Sequence, residues 1–217
     1  MTQNPPKLVP VGELVPRLWP GKTCVILGGG SSLTQADVDY VRGKAKVIAI
    51  KETGACSLPG RPPLAPWADV LYGCDAKYWK YENGAPTFKG LKFALEPQTT
   101  AWPGVQVLRD LGHDGLELDA SGLRTGHNSG YQAINLAVHL GVKRIVLLGF
   151  DMWAGPQGDQ NWFGPHPNHV VSPYAIFLTR FTSIVQPLKD AGVTVLNASR
   201  FTVLNAFPRV KLEEIVW

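Results

Sequence analysis

Two strand–turn–helix signals, far apart in the chain, constrain this sequence more than anything else in it. The first is Thr23-Cys-Val-Ile-Leu-Gly-Gly-Gly-Ser-Ser-Leu33, and the second is Gly126-His-Asn-Ser-Gly-Tyr131, a helix-like run, and then Arg144-Ile-Val-Leu-Leu-Gly-Phe-Asp151. The first reads as a buried strand that ends in three glycines and two hydroxyls, with a helix beginning at Thr34 to Asp37. Glycine lets a backbone approach a ligand with no Cβ in the way. A helix N-terminus adds unpaired N–H groups and partial positive charge, which suit an anion. Together the turns point to a pocket for nucleotide phosphate.

The rest of the chain supplies a scaffold for them. Continuous apolar runs at Thr23–Gly28, Lys46–Ile50, Asp69–Cys74, Leu91–Leu95, Arg144–Gly149 and Val193–Asn197 predict strands covered on both faces. Helices are expected over Thr34–Arg42, Asn128–Leu140 and Ser172–Ala191. The middle helix is apolar around much of its circumference and should be largely buried. Strands alternating with helices predict an α/β, Rossmann-like, doubly wound, mostly parallel sheet with helices on both faces. In such sheets ligands bind beyond the carboxyl ends of the strands, where Gly28, Asp75, Asp151 and Asn197 fall. The long polar stretch Pro97–Thr125 reads as a short hairpin or a lid. Residues 1–20 read as an N-terminal extension and 21–217 as one nucleotide-binding domain. The terminal element 207–217 leaves docking onto the chain and homodimer contact both open.

Composition narrows the class. With 45% hydrophobic residues among 217, a sizeable core is expected. No apolar run is long enough to span a bilayer, and Met1–Pro20 lacks the apolar segment of a secretory signal. The net charge of +4 suits an anionic ligand without by itself arguing for nucleic acid. Cys24, Cys56 and Cys74 show no metal-ligand spacing. Cys24 and Cys74 lie in strand-like runs and read as buried free thiols, which fits a reducing cytoplasm. Of the seven tryptophans, Trp67, Trp79, Trp153 and Trp162 fall in expected loops near strand ends. There they either pack at loop bases or stack on a base or sugar.

The candidate site is a glycine turn plus the groups around it. Gly28-Gly-Gly-Ser-Ser-Leu33 departs from a dinucleotide fingerprint, since Leu33 holds the third glycine's place, and no Gly-Lys-Ser/Thr follows as in a phosphate loop. Gly28, Gly29, Gly30, Ser31 and Ser32 are therefore candidate phosphate contacts, against a purely structural turn. Asp75 reads as a partner for a ribose hydroxyl or a cation, or as an N-cap. Lys51 reads as a phosphate or base contact, or as a solvated lysine. Ser129 and Gly130 supply a second helix start, with Ser129 as N-cap the plainer alternative. Asp151 opens a loop rich in Gly, Pro, Trp, Asn and His, a composition that reads as functional. It carries His166 and His169. The prolines around them oppose a shared metal, so no metal site is assigned, and His166 is the preferred general base with Asp151 next in line.

These residues carry a resemblance. Gly28-Gly-Gly-Ser-Ser-Leu33 resembles the glycine turn of the bacterial sialyltransferase-like superfamily, which includes flagellin-modification glycosyltransferases and archaeal 6-hydroxymethylpterin diphosphokinases. Ser129 to Asp151 is similar to that superfamily's second signature, in which a Ser/Thr-Gly turn opens a helix and the next strand ends in Gly-x-Asp. The small size and Trp-rich loops look like the short versions of phages and prophages. The resemblance implies a nucleotide at Gly28, Gly29, Gly30 and Ser32, beside Ser129 and Gly130, and a histidine base in the region of His166. Ser31 stands where proline is usual, and Gly29 where an asparagine contacts the nucleotide in sialyltransferases. The expectation is a cytoplasmic glycosyltransferase using a nucleotide sugar. The alternatives are an ATP-dependent diphosphokinase with magnesium on Asp75 or Asp151, and a non-catalytic phage nucleotide binder.

Overall fold

Each apolar run becomes a strand of one eight-stranded sheet in the computed structural model, which describes residues 11–96, 101–155, 158–165 and 172–217. The strands are β1 (Thr23–Leu27), β2 (Lys46–Ile50), β3 (Val70–Gly73), β4 (Leu91–Leu95), β5 (Val105–Asp110), β6 (Gly122–Leu123), β7 (Arg144–Leu148) and β8 (Thr194–Asn197). Their order is β6-β5-β4-β3-β2-β1-β7-β8, and every adjacent pair is parallel. The helices are α1 (Gln35–Val41), α2 (Ala76–Tyr81), α3 (Ser129–His139) and α4 (Tyr174–Asp190).

The two-residue period of the strands splits the core into two layers. Cys24, Ile26 and Ile48 face α3 and α4, where Ile134, Phe181, Ile184 and Leu188 close over them. Val25, Leu27, Val47 and Ala49 face α1 and α2, covered by Val38, Val41 and Trp79. Both layers are needed because a strand buried on two sides leaves no polar face for water. Complete burial of each such aliphatic side chain stabilises by about 1.5–3 kcal/mol. α3 is buried along nearly its whole length, as its all-round apolar pattern predicts.

Three sequence expectations are revised. The stretch 97–125 holds neither a hairpin nor a detached lid over its described part, but β5 and β6, both parallel to the sheet. A two-residue strand leaves almost no periodic signal, and β5 carries Gln106 within it and the charged Arg109 and Asp110 at its end. Trp79 lies in a helix, fully buried, and its indole N–H donates to the Gly73 carbonyl at 2.7 Å. Cys74 lies just beyond β3 and is only partly buried.

Residues 11–20 are laid against the domain. Val11 bridges to Val107 of β5, and Trp19 N–H donates to the Leu140 carbonyl at 2.7 Å. Val15 and Trp19 are buried in the α3/α4 layer. At the other end, Leu212 and Ile215 are buried in the α1/α2 layer, and Trp217 packs near Tyr40. Among the described residues no helix is long and apolar enough to cross a membrane.

Candidate functional site

The chain winds outward from β1 through β6, then returns to place β7 on the other side of β1. Loops after β1 and β7 therefore diverge to opposite faces, and a crevice opens between them, where open α/β sheets bind ligands. A cleft of about 1160 Å³ occupies this position, lined by Gly28, Gly29, Gly30, Lys51, Asp75, Ser129, Gly130, Asp151 and residues around them. Both signature turns thus face one cleft. Ser31 and Ser32 are not among its lining residues.

The three glycines of the first turn have different reasons to be glycine. Gly28 N–H donates to the Leu148 carbonyl at 2.8 Å and Gly30 N–H to the Gly149 carbonyl at 2.9 Å, so the turn is stitched to the end of β7. A Cβ on Gly28 would lie 2.5 Å from the Gly149 oxygen, and one on Gly30 would enter the Asp151 carboxylate. Those two glycines serve the close approach of the segments that follow β1 and β7. Gly29 is different: a Cβ there would meet only the Asn161 side chain, at 3.7 Å. Its N–H donates to no acceptor among the described residues, and its carbonyl accepts from Trp162 N–H at 3.0 Å. Gly29 is the part of the turn open to a ligand.

Asp151 clamps that turn. Its carboxylate accepts from Ser32 N–H at 2.7 Å, from Ser32 Oγ at 2.6 Å and from Ser31 Oγ at 3.4 Å. Burial pushes its carboxyl above the usual range, while the serine hydrogen bonds pull the other way. The serine hydroxyls are engaged by protein, and α1 behind them is closed by a Thr34/Asp37 capping box. Arg200 Nε adds an ion pair to Asp37 at 2.8 Å. The first helix start is therefore occupied by the protein's own groups.

The second helix start is open. Asn128, not Ser129, is the N-cap of α3, and its Oδ1 accepts from Tyr131 N–H at 2.9 Å. The N–H groups of Ser129 and Gly130 donate to no acceptor among the described residues, and both residues line the cleft. Gly130 is glycine for packing, since a Cβ would lie 2.6 Å from the Phe150 ring. Ser129 Oγ lies 3.1 Å from Cys74 Sγ. Across the cleft, Asp75 leaves its helix uncapped by its side chain and forms an ion pair with Lys51. Burial alone would lower the Lys51 ammonium, but the neighbouring Cys74 and Asp75 outweigh it and hold its pKa above the usual range.

Backbone strain gathers here. Five non-glycine residues among those described have φ in the left-handed region, and Lys51, His127 and Met152 of these line the cleft. Each follows a strand or precedes a helix at the carboxyl edge, the pattern expected of a site that holds side chains in set positions. His127 lies within the second signature, and the sequence alone assigns it no role. Its only signal is its place just before an N-cap. His166 and His169 lie outside the described residues. Among the described residues no three His, Cys, Asp or Glu side chains are grouped to hold a metal ion.

No protein-family model and no curated protein matches the sequence. A solved structure does match in three dimensions: the MAf glycosyltransferase from Magnetospirillum magneticum AMB-1, with a TM-score of 0.61 and 11% identity. The two chains share a fold. The match covers 96% of this chain but 36% of that one, so this chain corresponds to roughly a third of the larger protein. At such low identity the likeness describes architecture: the parallel α/β sheet and its carboxyl-edge crevice.

Proposed function

We propose that this chain binds a nucleotide sugar in the β1/β7 crevice and transfers its sugar to an acceptor hydroxyl. The observation that carries this reading is the pairing of open groups on facing turns: the side-chain-free Gly29 backbone on one, and the Ser129 and Gly130 N–H groups at the start of α3 on the other. An α-helix start stabilises an anion by about 0.3–2 kcal/mol through its unpaired amides and dipole. A cleft of about 1160 Å³ exceeds the room a small mononucleotide needs and suits a nucleotide carrying a sugar. Lys51, held by Asp75, sets a fixed positive charge on the β2–β3 side for the phosphates or the ribose edge. The glycosyltransferase-like fold supports the same reading.

The test is a thermal-shift and calorimetric screen of CMP, UDP, GDP and ATP and of their sugar conjugates, with and without magnesium, followed by assay of donor turnover. Saturable binding of a nucleotide sugar, with turnover, is the expected result. Magnesium-dependent consumption of ATP would replace it with the diphosphokinase reading. Binding without turnover of any donor would leave a non-catalytic nucleotide binder.

A further inference from the structure

We propose that His127 is the catalytic base of this site, taking the proton of an acceptor hydroxyl that enters from the groove along α4; this rests on the nucleotide-sugar reading above. His127 lines both the cleft and a second cavity of about 760 Å³, which runs beside Pro173, Ile176, Phe177 and Arg180. His127, Pro173 and Phe177 border both spaces. A donor whose phosphates meet the Ser129 and Gly130 amides places its reacting carbon next to those phosphates, two residues along the chain from His127. An acceptor can reach that carbon from the second cavity without displacing the nucleotide.

The imidazole of the exposed His127 is positioned by its backbone and by one ring stack. His127 has φ +60°, and the preceding Gly126 is left-handed too; a Cβ on Gly126 would enter the Tyr131 ring. The ring stacks on His113, with centroids 4.4 Å apart. His113 Nδ1 is 2.8 Å from Thr125 Oγ1. The Thr125 carbonyl accepts from Gln132 Nε2 at 2.9 Å, and Gln132 Oε1 accepts from the buried Tyr72 hydroxyl at 2.9 Å. This chain of contacts ties His127 to β3 and α3. By contrast, Asp151, the base next in line from the sequence, has its oxygens engaged by the turn.

In the step, the acceptor O–H gives its proton to a His127 ring nitrogen as the oxygen forms a bond to the sugar's anomeric carbon. The bond from that carbon to the phosphate oxygen breaks, and the electron pair leaves with the nucleotide, whose charge faces the α3 amides. The imidazolium then releases its proton to water. A positioned base of this kind contributes about 10²–10⁴-fold in rate.

The test uses His127→Asn and His127→Gly, since both residues accept a left-handed backbone, with His166→Ala alongside. UDP-glucose, GDP-mannose and CMP-N-acetylneuraminate are the donor probes, with water or a methyl glycoside as acceptor, and nucleotide binding is followed in parallel. The expected result is a fall in kcat of about 10²–10⁴-fold in both His127 variants, with donor binding retained and activity of the glycine variant restored by added imidazole. Turnover unchanged in His127→Asn, no rescue by imidazole, or loss confined to His166→Ala overturns the proposal. Wild-type protein that binds donors but turns none over also overturns it while leaving the nucleotide cleft standing. Wild-type protein that binds no nucleotide removes both.

Discussion

Gly29 and Gly30 are adjacent, yet the structure gives them opposite sensitivities. Gly29 has open space where a side chain would grow, bounded only by Asn161. Gly29→Val should therefore fold normally and lose nucleotide affinity by about thirtyfold, near 2 kcal/mol, because the branched Cβ occupies the ligand's approach. Gly30→Ala should do the reverse of a clean binding mutant. Its Cβ would enter the Asp151 carboxylate, and overpacking of this kind costs about 1–3 kcal/mol. Urea melts separate the two: a lowered midpoint in Gly30→Ala with none in Gly29→Val is expected. Equal nucleotide affinity in Gly29→Val and wild type would remove the turn from the binding site. The sequence marked all three glycines alike, since glycine next to a strand end carries no label for what its missing Cβ avoids.

α3 joins the site to the core, and its two ends differ in chemistry. Its N-terminus offers the Ser129 and Gly130 amides to the cleft, while its last turn buries His139. Nε2 of His139 donates to the Gly122 carbonyl at 2.9 Å, tying the helix to β6. Burial holds the His139 pKa below its ordinary value, against smaller upward pulls from Gly122, Glu117 and Asp119. A lowered histidine pKa means that the unfolded chain takes up a proton that the folded state resists. Stability contributed by neutral His139 is then present above the unfolded value of about 6.5 and lost as pH falls below it toward the folded pKa. Wild-type Tm should drop between pH 7.5 and 5.5 by more than that of His139→Gln. Parallel Tm curves for the two proteins would show that another group sets the acid sensitivity.

Across the whole molecule, the N-terminal stretch matters more than its composition suggests. Trp19 is 5% exposed and packs in the α3/α4 layer, with its backbone N–H on the Leu140 carbonyl. Trp19→Ala should cost about 3–5 kcal/mol, as large-to-small core changes do. Removing residues 1–20 should cost more, since Val15 leaves as well; calorimetry of both forms checks this, and an unshifted Tm would show the segment to be dispensable. In sequence these residues look like a polar, proline-rich extension because the apolar positions are too sparse to form a periodic pattern. The parallel α/β sheet, its central strands and the burial of α3 were legible in the order and period of the apolar runs, because local hydrophobic spacing dictates which faces must be covered. So was the meeting of two turns at one crevice, which follows from parallel strands all ending on the same edge. Tertiary structure alone decided which groups on those turns remain open. Asp151 reaches across from β7 to consume the serines of the first turn, Asn128 caps α3 and leaves the Ser129 N–H open to the cleft, and Gly126, packed against Tyr131, precedes a His127 that borders two cavities. Each of these outcomes depends on atoms brought together from distant parts of the chain, and hydrogen-bond donors are assigned only once every competing acceptor is in place.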